Sequence, residues 1–324
     1  MKKPLVCITR TIPEVGMKML QSKNYQLRVN KKGRALTRAE LVKFVKGADV
    51  IVSLLTDDMD GQVMDAAGPQ LKLIANYAVG YDNIHLDAAK KRGICVTNTA
   101  GASNESVAEF AVAAMFAAAK HLPQAHDFVE FGKYKGWNPS LFIGEELFGR
   151  TVGIVGLGRI GFEVARITKN GLRMEVLYHD AIRNEKAEKE LGLKFVPLAT
   201  LLKKADFISL HVPLLPTTRH MIGVKEFKMM KKNAVLINTA RGPVVDEKAL
   251  VQALKKKQIG AAALDVFEYE PKLVPGLAKL QNVVLSPHIA SATEETRNRM
   301  AQLAAQNVIA VLSSKAPVCP VPMP

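Results

Sequence analysis

Apolar and polar positions follow two rhythms along this chain. Runs of about four to eight mostly apolar residues, bounded by glycine, proline or charge, read as buried strands; apolar residues three or four apart read as helices. In the first hundred residues "LVCIT", "DVIVSL", "LKLIANYA" and "ICVTN" predict strands. Between them "PEVGMKMLQS", "TRAELVKFVKGA" and "HLDAAKKRG" predict helices. The second opens on Thr37 and Glu40, a capping-box pair, and closes near Gly47; the third ends at Gly93. Strands alternating with helices mean βαβ units and a parallel sheet.

"SNESVAEFAVAAMFAAAKHL" then predicts one long Ala-rich helix, capped near Ser103 or Asn104. The next stretch, "PQAHDFVEFGKYKGWNPSLFIGEELFGR", predicts an irregular segment rich in glycine and aromatics. It is long for a loop inside a domain, so a functional or interaction arm is expected. At Thr151 the strand–helix rhythm restarts with "TVGIVGLGRIGFEVARI". "EVLYHD", "ADFISLHVP", "NAVLINTA", "GAAALDVF" and "NVVLSPHI" predict its later strands, and "DEKALVQALKKKQ" and "TEETRNRMAQLAAQNVIAVLSS" predict helices. The tail "APVCPVPMP" predicts extended chain. No solenoid-type repeat is visible.

The restart implies an insertion. Residues 1–99 and 289–324 are expected to form one α/β domain, completed by the last helix. Residues 100–288 are expected to form a second, with a helix and arm at 103–148. Two crossovers would leave a cleft between the domains, a favoured place for a small-molecule site.

Length and charge refine this only slightly. A chain of 324 residues suits about two domains. The net charge is +15, yet the basic runs are short and no aromatics interleave with them as a base-stacking platform requires. A solvated basic surface that can draw in small anions is the expectation, with no nucleic-acid partner. Cys7, Cys95 and Cys319 match neither a metal spacing nor a disulfide framework, so no metal and a reduced, cytoplasmic setting are expected. The apolar run Leu5–Ile8 is short for a signal peptide and is followed by Arg10. The longest apolar stretch, 110–119, falls short of the roughly 20 residues that span a bilayer, so no membrane partner is expected.

The chemistry concentrates at strand ends. Gly156-Leu157-Gly158-Arg159-Ile160-Gly161 stands between a predicted strand and a predicted helix, the context a dinucleotide site requires. Gly156 suits the tight turn, Gly158 lets backbone approach a pyrophosphate, and Gly161 allows close helix packing. Asp180 ends the next strand, where an acid accepts bonds from ribose hydroxyls and repels a 2′-phosphate; it could equally cap a helix. NAD is therefore expected, with NADP possible because Arg183 lies close by. Arg241, Glu270 and His288 follow later strands. Singly each is ambiguous. Together they suit one reaction: a guanidinium fork for a carboxylate, an imidazole that moves a proton, and a carboxylate that orients it.

Several long motifs in order, "NYAVGYDNIHLDAAKKRGICVTNTAG", "TVGIVGLGRIG", "HVPLLPTTRHMIG", "LINTARGPVVDEKAL", "ALDVFEYEP" and "SPHIASAT", resemble the D-isomer-specific 2-hydroxyacid dehydrogenases over essentially the whole chain, and most closely their glyoxylate/hydroxypyruvate reductase branch. The resemblance implies two doubly wound parallel-sheet domains, a Rossmann NAD domain inserted into a flavodoxin-like substrate domain. It implies reduction of a short 2-oxo acid, with Arg241, Glu270 and His288 catalytic. Cofactor contacts are implied for the glycine turn (Gly156, Gly158, Arg159, Ile160, Gly161), Asp180, His211, Val212, Pro213, Thr218, Thr239, Ala240, Arg241, Asp265, His288 and Ala290. Substrate contacts are implied for Leu54, Ala78, Val79 and Gly80 together with Arg241 and His288. A homodimer is implied, built from the helix after Ser103 and the arm, whose Trp137 or Leu141 would border the neighbouring cleft or simply pack in the dimer. The branch often has proline and threonine where this chain has Ala100 and Asn104; Asn104 is carried over as a cofactor contact. A short D-3-phosphoglycerate dehydrogenase is the alternative enzyme, although the loop at Leu54, Leu55, Asp57 and Asp58 lacks the cations a phosphate tail would want. An NAD-sensing corepressor with the same trio is the alternative from another class.

Overall fold

The computed structural model describes residues 3–324, so the first two positions of the expected outer domain lie outside the described residues. The chain divides into two compact units, one comprising the residues up to Ser103 together with Ala292–Pro324, the other Asn104–Ser291.

The first unit is built from β1 (Leu5–Ile8), α1 (Glu14–Gln21), β2 (Gln26–Val29), α2 (Arg38–Phe44), β3 (Val50–Ser53), α3 (Gly61–Ala67), β4 (Leu73–Asn76), α4 (Leu86–Lys91) and β5 (Cys95–Thr97). Its five strands run in the order β2-β1-β3-β4-β5, all parallel. β1, β3 and β4 are buried along their whole length, which is why their sequences are nearly continuous apolar runs. The capping box at α2 forms as expected: the Thr37 hydroxyl accepts from Glu40 N–H and the Glu40 carboxylate from Thr37 N–H.

The second unit contains α5 (Asn104–Ala119), α6 (Leu122–Glu130), β6 (Thr151–Val155), α7 (Arg159–Leu172), β7 (Glu175–His179), α8 (Glu185–Leu191), β8 (Lys194–Phe195), α9 (Leu198–Lys204), β9 (Phe207–Leu210), α10 (Val224–Met229), β10 (Val235–Asn238), α11 (Glu247–Lys255), β11 (Ala261–Leu264) and β12 (Val283–Leu285). Its seven parallel strands run β12-β11-β10-β9-β6-β7-β8. Both sheets are parallel, as the alternation implied, and doubly wound, as the resemblance implied. In the second, strand order reverses between β6 and β9, and ligands of such sheets bind beyond the carboxyl ends of the strands at that switch point.

One expectation is corrected here. The stretch after the long helix is not irregular throughout. Pro123 sits in the first turn of α6, where its missing N–H costs nothing, and Ala125 N–H closes the turn on His121 O at 2.8 Å. None of the α6 residues is buried, so no apolar stripe marks it against the unit's own core. The chain is irregular only beyond it.

The chain then returns to the first unit through α12 (Glu294–Leu312), whose Met300, Ala301, Ala304 and Val308 pack with Val6, Ile8, Val50 and Leu73. The following segment lies extended beside β5: Asn98 N–H donates to Cys319 O at 3.1 Å and Val321 N–H to Val96 O at 2.9 Å. Among the described residues no helix is long and apolar enough to cross a membrane.

Candidate active site

The glycine turn leaves β6 directly at the switch point. Gly156 has φ +93°, and a Cβ there would lie 2.8 Å from the His211 carbonyl, so both conformation and space demand glycine. A Cβ on Gly161 would overlap Gly156 O, which lets the start of α7 press onto the turn. At Gly158 the reverse holds: a Cβ would meet nothing within 4 Å. Gly158 is also the N-cap of α7 and makes no side-chain cap, leaving the first amides of that helix aimed outward. A hollow of about 440 Å³ opens here, lined by Asn104, Leu157, Gly158, Arg159, Phe162, Glu163 and Asn184. Open space over Gly158 beside uncapped amides and the Arg159 side chain fits the pyrophosphate of a dinucleotide. Ile160 sits in the first turn of α7, behind Arg159.

Asp180 follows β7 and faces the turn. Its Oδ2 accepts from Leu157 N–H and its Oδ1 from Ala181 N–H, both at 2.6 Å. It does not cap α8; Asn184 does, accepting from Ala187 N–H at 3.0 Å. The carboxylate therefore fixes the glycine turn to the next strand and retains lone pairs for ribose hydroxyls.

Beyond β9, His211 bonds Ser209 Oγ through Nε2 at 2.8 Å. Burial pushes its pKa down to about 3, so the ring is neutral and serves the turn rather than proton transfer. Val212 is half-buried and Pro213 exposed, and Thr218 closes their loop by donating to Pro213 O at 2.6 Å and accepting from Leu215 N–H at 2.8 Å. Beyond β10, Asn238 Oδ1 accepts from Ala240 N–H at 3.1 Å and its Nδ2 donates to Arg241 O at 2.9 Å. That clamp sets the backbone from which the Arg241 side chain leaves. Thr239 Oγ1 is buried and meets no hydrogen-bond partner.

The two remaining site segments meet beyond β11 and β12. Glu270 Oε2 lies 3.1 Å from His288 Nδ1, and Glu270 Oε1 accepts from Phe267 N–H at 2.9 Å. Burial pushes the Glu270 carboxyl up, but the bonds from His288 and Phe267 and the charges of His288 and Arg241 outweigh it and hold the carboxyl below its ordinary value. An ionised Glu270 fixes the proton of His288 on Nδ1 and turns Nε2 outward. His288 itself occupies the left-handed region, φ +56°. Asp265 keeps it there. Its carboxylate is buried and accepts from Ser286 Oγ at 2.6 Å, Ile289 N–H at 2.9 Å and Ala290 N–H at 2.8 Å, while its carbonyl accepts from His288 N–H at 2.9 Å. Asp265, expected beside the nicotinamide, thus staples the loop that carries His288.

In the first unit the loop 77–80 leaves β4 with its carbonyls tied: Ala78 O accepts from Thr99 N–H, Val79 O from Asn98 Nδ2 at 2.7 Å, and Gly80 O from Asn76 Nδ2 at 2.9 Å. Among the described residues no acceptor meets the N–H groups of Ala78, Val79 and Gly80. Three donors held on tied backbone are what a carboxylate ligand needs. Leu54 is half-buried, and its N–H donates to the buried Asp57, which also accepts from Thr9 Oγ1. Burial raises the Asp57 carboxyl, so Asp57 is part of the loop's scaffold. On the arm, Trp137 is 82% exposed and Leu141 37%.

Sequence reading missed the groups that hold these segments, Asn76, Asn98, Asn238 and Ser286. An asparagine ending a buried strand two residues before an alanine, "NTA", was the available signal for two of them. It also missed the partner of Arg183, which is Glu188.

Comparison with known proteins points to one family. A family model described as "D-isomer specific 2-hydroxyacid dehydrogenase, NAD binding domain" matches residues 112–290. A glyoxylate reductase of Korarchaeum cryptofilum is 49% identical over 318 residues, covering 97% of this chain and 95% of the relative. Among solved structures, the TT0316 protein of Thermus thermophilus superposes with a TM-score of 0.91 at 40% identity, covering 98% of this chain and 100% of its own. An NADPH-dependent glyoxylate/hydroxypyruvate reductase from Sinorhizobium meliloti, solved with NADP and malonate, superposes with a TM-score of 0.87 at 31% identity, covering 99% and 97%.

Proposed function

Because the chain belongs to the D-isomer-specific 2-hydroxyacid dehydrogenase family, we propose that it reduces a short 2-oxo acid, glyoxylate or hydroxypyruvate, to the 2-hydroxy acid with NADH, and catalyses the reverse oxidation. The observation that carries this reading is the 3.1 Å pairing of His288 Nδ1 with the ionised Glu270. It leaves Nε2 as a proton donor of fixed direction.

The glycine turn and Asp180 hold the dinucleotide, with Asn104, Thr239, Ala240 and Ala290 around it. The chemistry that a bound nicotinamide supplies is hydride transfer at the 2-oxo carbon. Arg241 grips the substrate carboxylate and polarises the keto oxygen. As negative charge grows on the keto oxygen, His288 gives it the proton from Nε2, and Glu270 stabilises the imidazolium before that transfer. In the oxidation His288 Nε2 takes the proton back. The exposed apolar side chains of the arm, Val129, Phe131, Trp137 and Ile143, support assembly as a homodimer through this segment.

The test is a steady-state panel of glyoxylate, hydroxypyruvate, pyruvate and phosphohydroxypyruvate, each with NADH and NADPH. Highest kcat/KM with glyoxylate or hydroxypyruvate and NADH is expected. A preference for phosphohydroxypyruvate would move the protein to phosphoglycerate chemistry, and no turnover would leave a nucleotide-sensing role. Light scattering on the purified protein should give twice the chain mass.

A further inference from the structure

The strand that leads into Asp180, β7, also carries Tyr178, wholly buried. Its hydroxyl donates to Glu188 Oε1 at 2.6 Å and accepts from Asn184 N–H at 2.9 Å. Glu188, in turn, takes a two-pronged grip from Arg183: Nε to Oε1 at 2.9 Å and Nη2 to Oε2 at 2.8 Å. The Glu188 side chain is only 15% exposed and cannot turn away without abandoning Tyr178. The bonds from Arg183 and then Tyr178 hold its carboxyl down to about 2. The Glu188 end of this pair is therefore fixed, whereas the Arg183 side chain is 56% exposed and is held only by its two-pronged bond.

The location gives the grip its meaning. Arg183 stands in the loop between Asp180, which braces the glycine turn, and Asn184, which lines the hollow over it. In dinucleotide folds an acid here meets the ribose 2′-hydroxyl, whereas an arginine nearby accommodates a 2′-phosphate. This chain carries both residues, so its cofactor choice depends on whether the guanidinium is available.

Resting on the nucleotide site proposed above, we infer that Glu188 is a positioning residue for cofactor selection: by occupying the Nε–Nη2 edge of Arg183 it withholds that edge from a 2′-phosphate and keeps the site selective for NAD. One consequence is that Asp180→Ala alone removes a repulsion without creating a phosphate ligand. Efficient use of NADP requires release of Arg183 as well.

The test compares binding of adenosine 5′-monophosphate and adenosine 2′,5′-bisphosphate by calorimetry on the whole protein, which needs no turnover. The native protein should favour the monophosphate. Glu188→Gln should shift the affinity ratio towards the bisphosphate by about tenfold, the effect of roughly one charge-assisted hydrogen bond. Adding Arg183→Ala to that variant should cancel the shift. Arg183→Ala in the otherwise native protein should leave the ratio where it was, an arm that can overturn the inference even if Glu188 variants fold poorly. An unmoved ratio in a folded Glu188→Gln overturns the inference. So does a loss of bisphosphate affinity in Arg183→Ala alone, since Arg183 would then already serve as a ligand. If the native protein binds neither nucleotide, the nucleotide site itself falls, and this inference with it.

Discussion

Two turns of nearly the same sequence stand at strand ends in the two units, Asn98-Thr99-Ala100-Gly101 after β5 and Asn238-Thr239-Ala240-Arg241 after β10. Both asparagines are buried, and both accept from the amide two residues on, at 3.2 and 3.1 Å. Both threonine hydroxyls are buried without a hydrogen-bond partner. The backbone device is the same Asx turn. They differ at the fourth position. Gly101 takes φ +90° and passes the chain out of the unit, whereas Arg241 is extended and presents a guanidinium. On the proposed reading, a generic strand ending becomes a reactive one through a single side chain, provided the asparagine beneath it is kept.

Arg241→Ala makes the second turn resemble the first and should have the largest effect. Two charge-assisted bonds of about 1.5–3 kcal/mol each are lost, so kcat/KM should fall by roughly 10²–10⁴ while NADH affinity changes little. Retained turnover of glyoxylate would mean that the two turns are equivalent after all.

Glu270→Gln asks whether the imidazole paired beyond β12 supplies the proton. The bond and charge of His288 help to hold the Glu270 carboxyl below its ordinary value, so removing that carboxylate should move the alkaline limit of reduction to lower pH. The acid limit of oxidation should move the same way, because that direction needs the neutral ring. Profiles of kcat/KM against pH in both directions check this; limits that stay in place while the rate drops would leave Glu270 a merely structural role.

Asn238→Ala should cost about tenfold in kcat/KM by freeing the Arg241 carbonyl, whereas Asn98→Ala should lower both kcat/KM and stability, the latter by about 1–3 kcal/mol, because the Val79 carbonyl is left without its donor. Thermal unfolding beside kinetics separates the two. The smallest effect is expected from the threonines. Thr99→Val should be neutral or slightly stabilising, since it removes an unmatched hydroxyl. Thr239→Val should weaken NADH binding a few-fold if the bound cofactor is what completes that hydroxyl, and equal behaviour of the pair would argue against a cofactor contact at Thr239.

What could be read from the sequence follows burial. β1, β3, β4, β9, β10 and β11 are buried at every residue and announce themselves as apolar runs. β2 and β8 lie at sheet edges with exposed or half-exposed side chains, "QLRV" and "KF", and carry no such signal. α8, "EKAEKEL", buries only Ala187 and has no apolar stripe to find. The site divides in the same manner. The glycine turn, Arg241, Glu270 and His288 lie in contiguous motifs whose chemistry is local. The hold of Glu188 on Arg183 depends on a tyrosine from a neighbouring strand, and the stapling by Asp265 depends on a loop some twenty residues on. Such pairings exist only once β7 meets α8 and β11 meets β12.

The extended segment beside β5 has a consequence for solubility. Cys319 turns its carbonyl to Asn98 and Val321 its N–H to Val96, while the Cys319 N–H donates to Asn307 Oδ1 at 3.0 Å. The alternate positions, Pro320 and Pro322, face the other way, and neither has an N–H to offer. An open sheet margin normally invites a strand from another molecule and so seeds aggregation. Here the margin is closed by a segment whose own outer side cannot donate, so the sheet is ended without creating a new template.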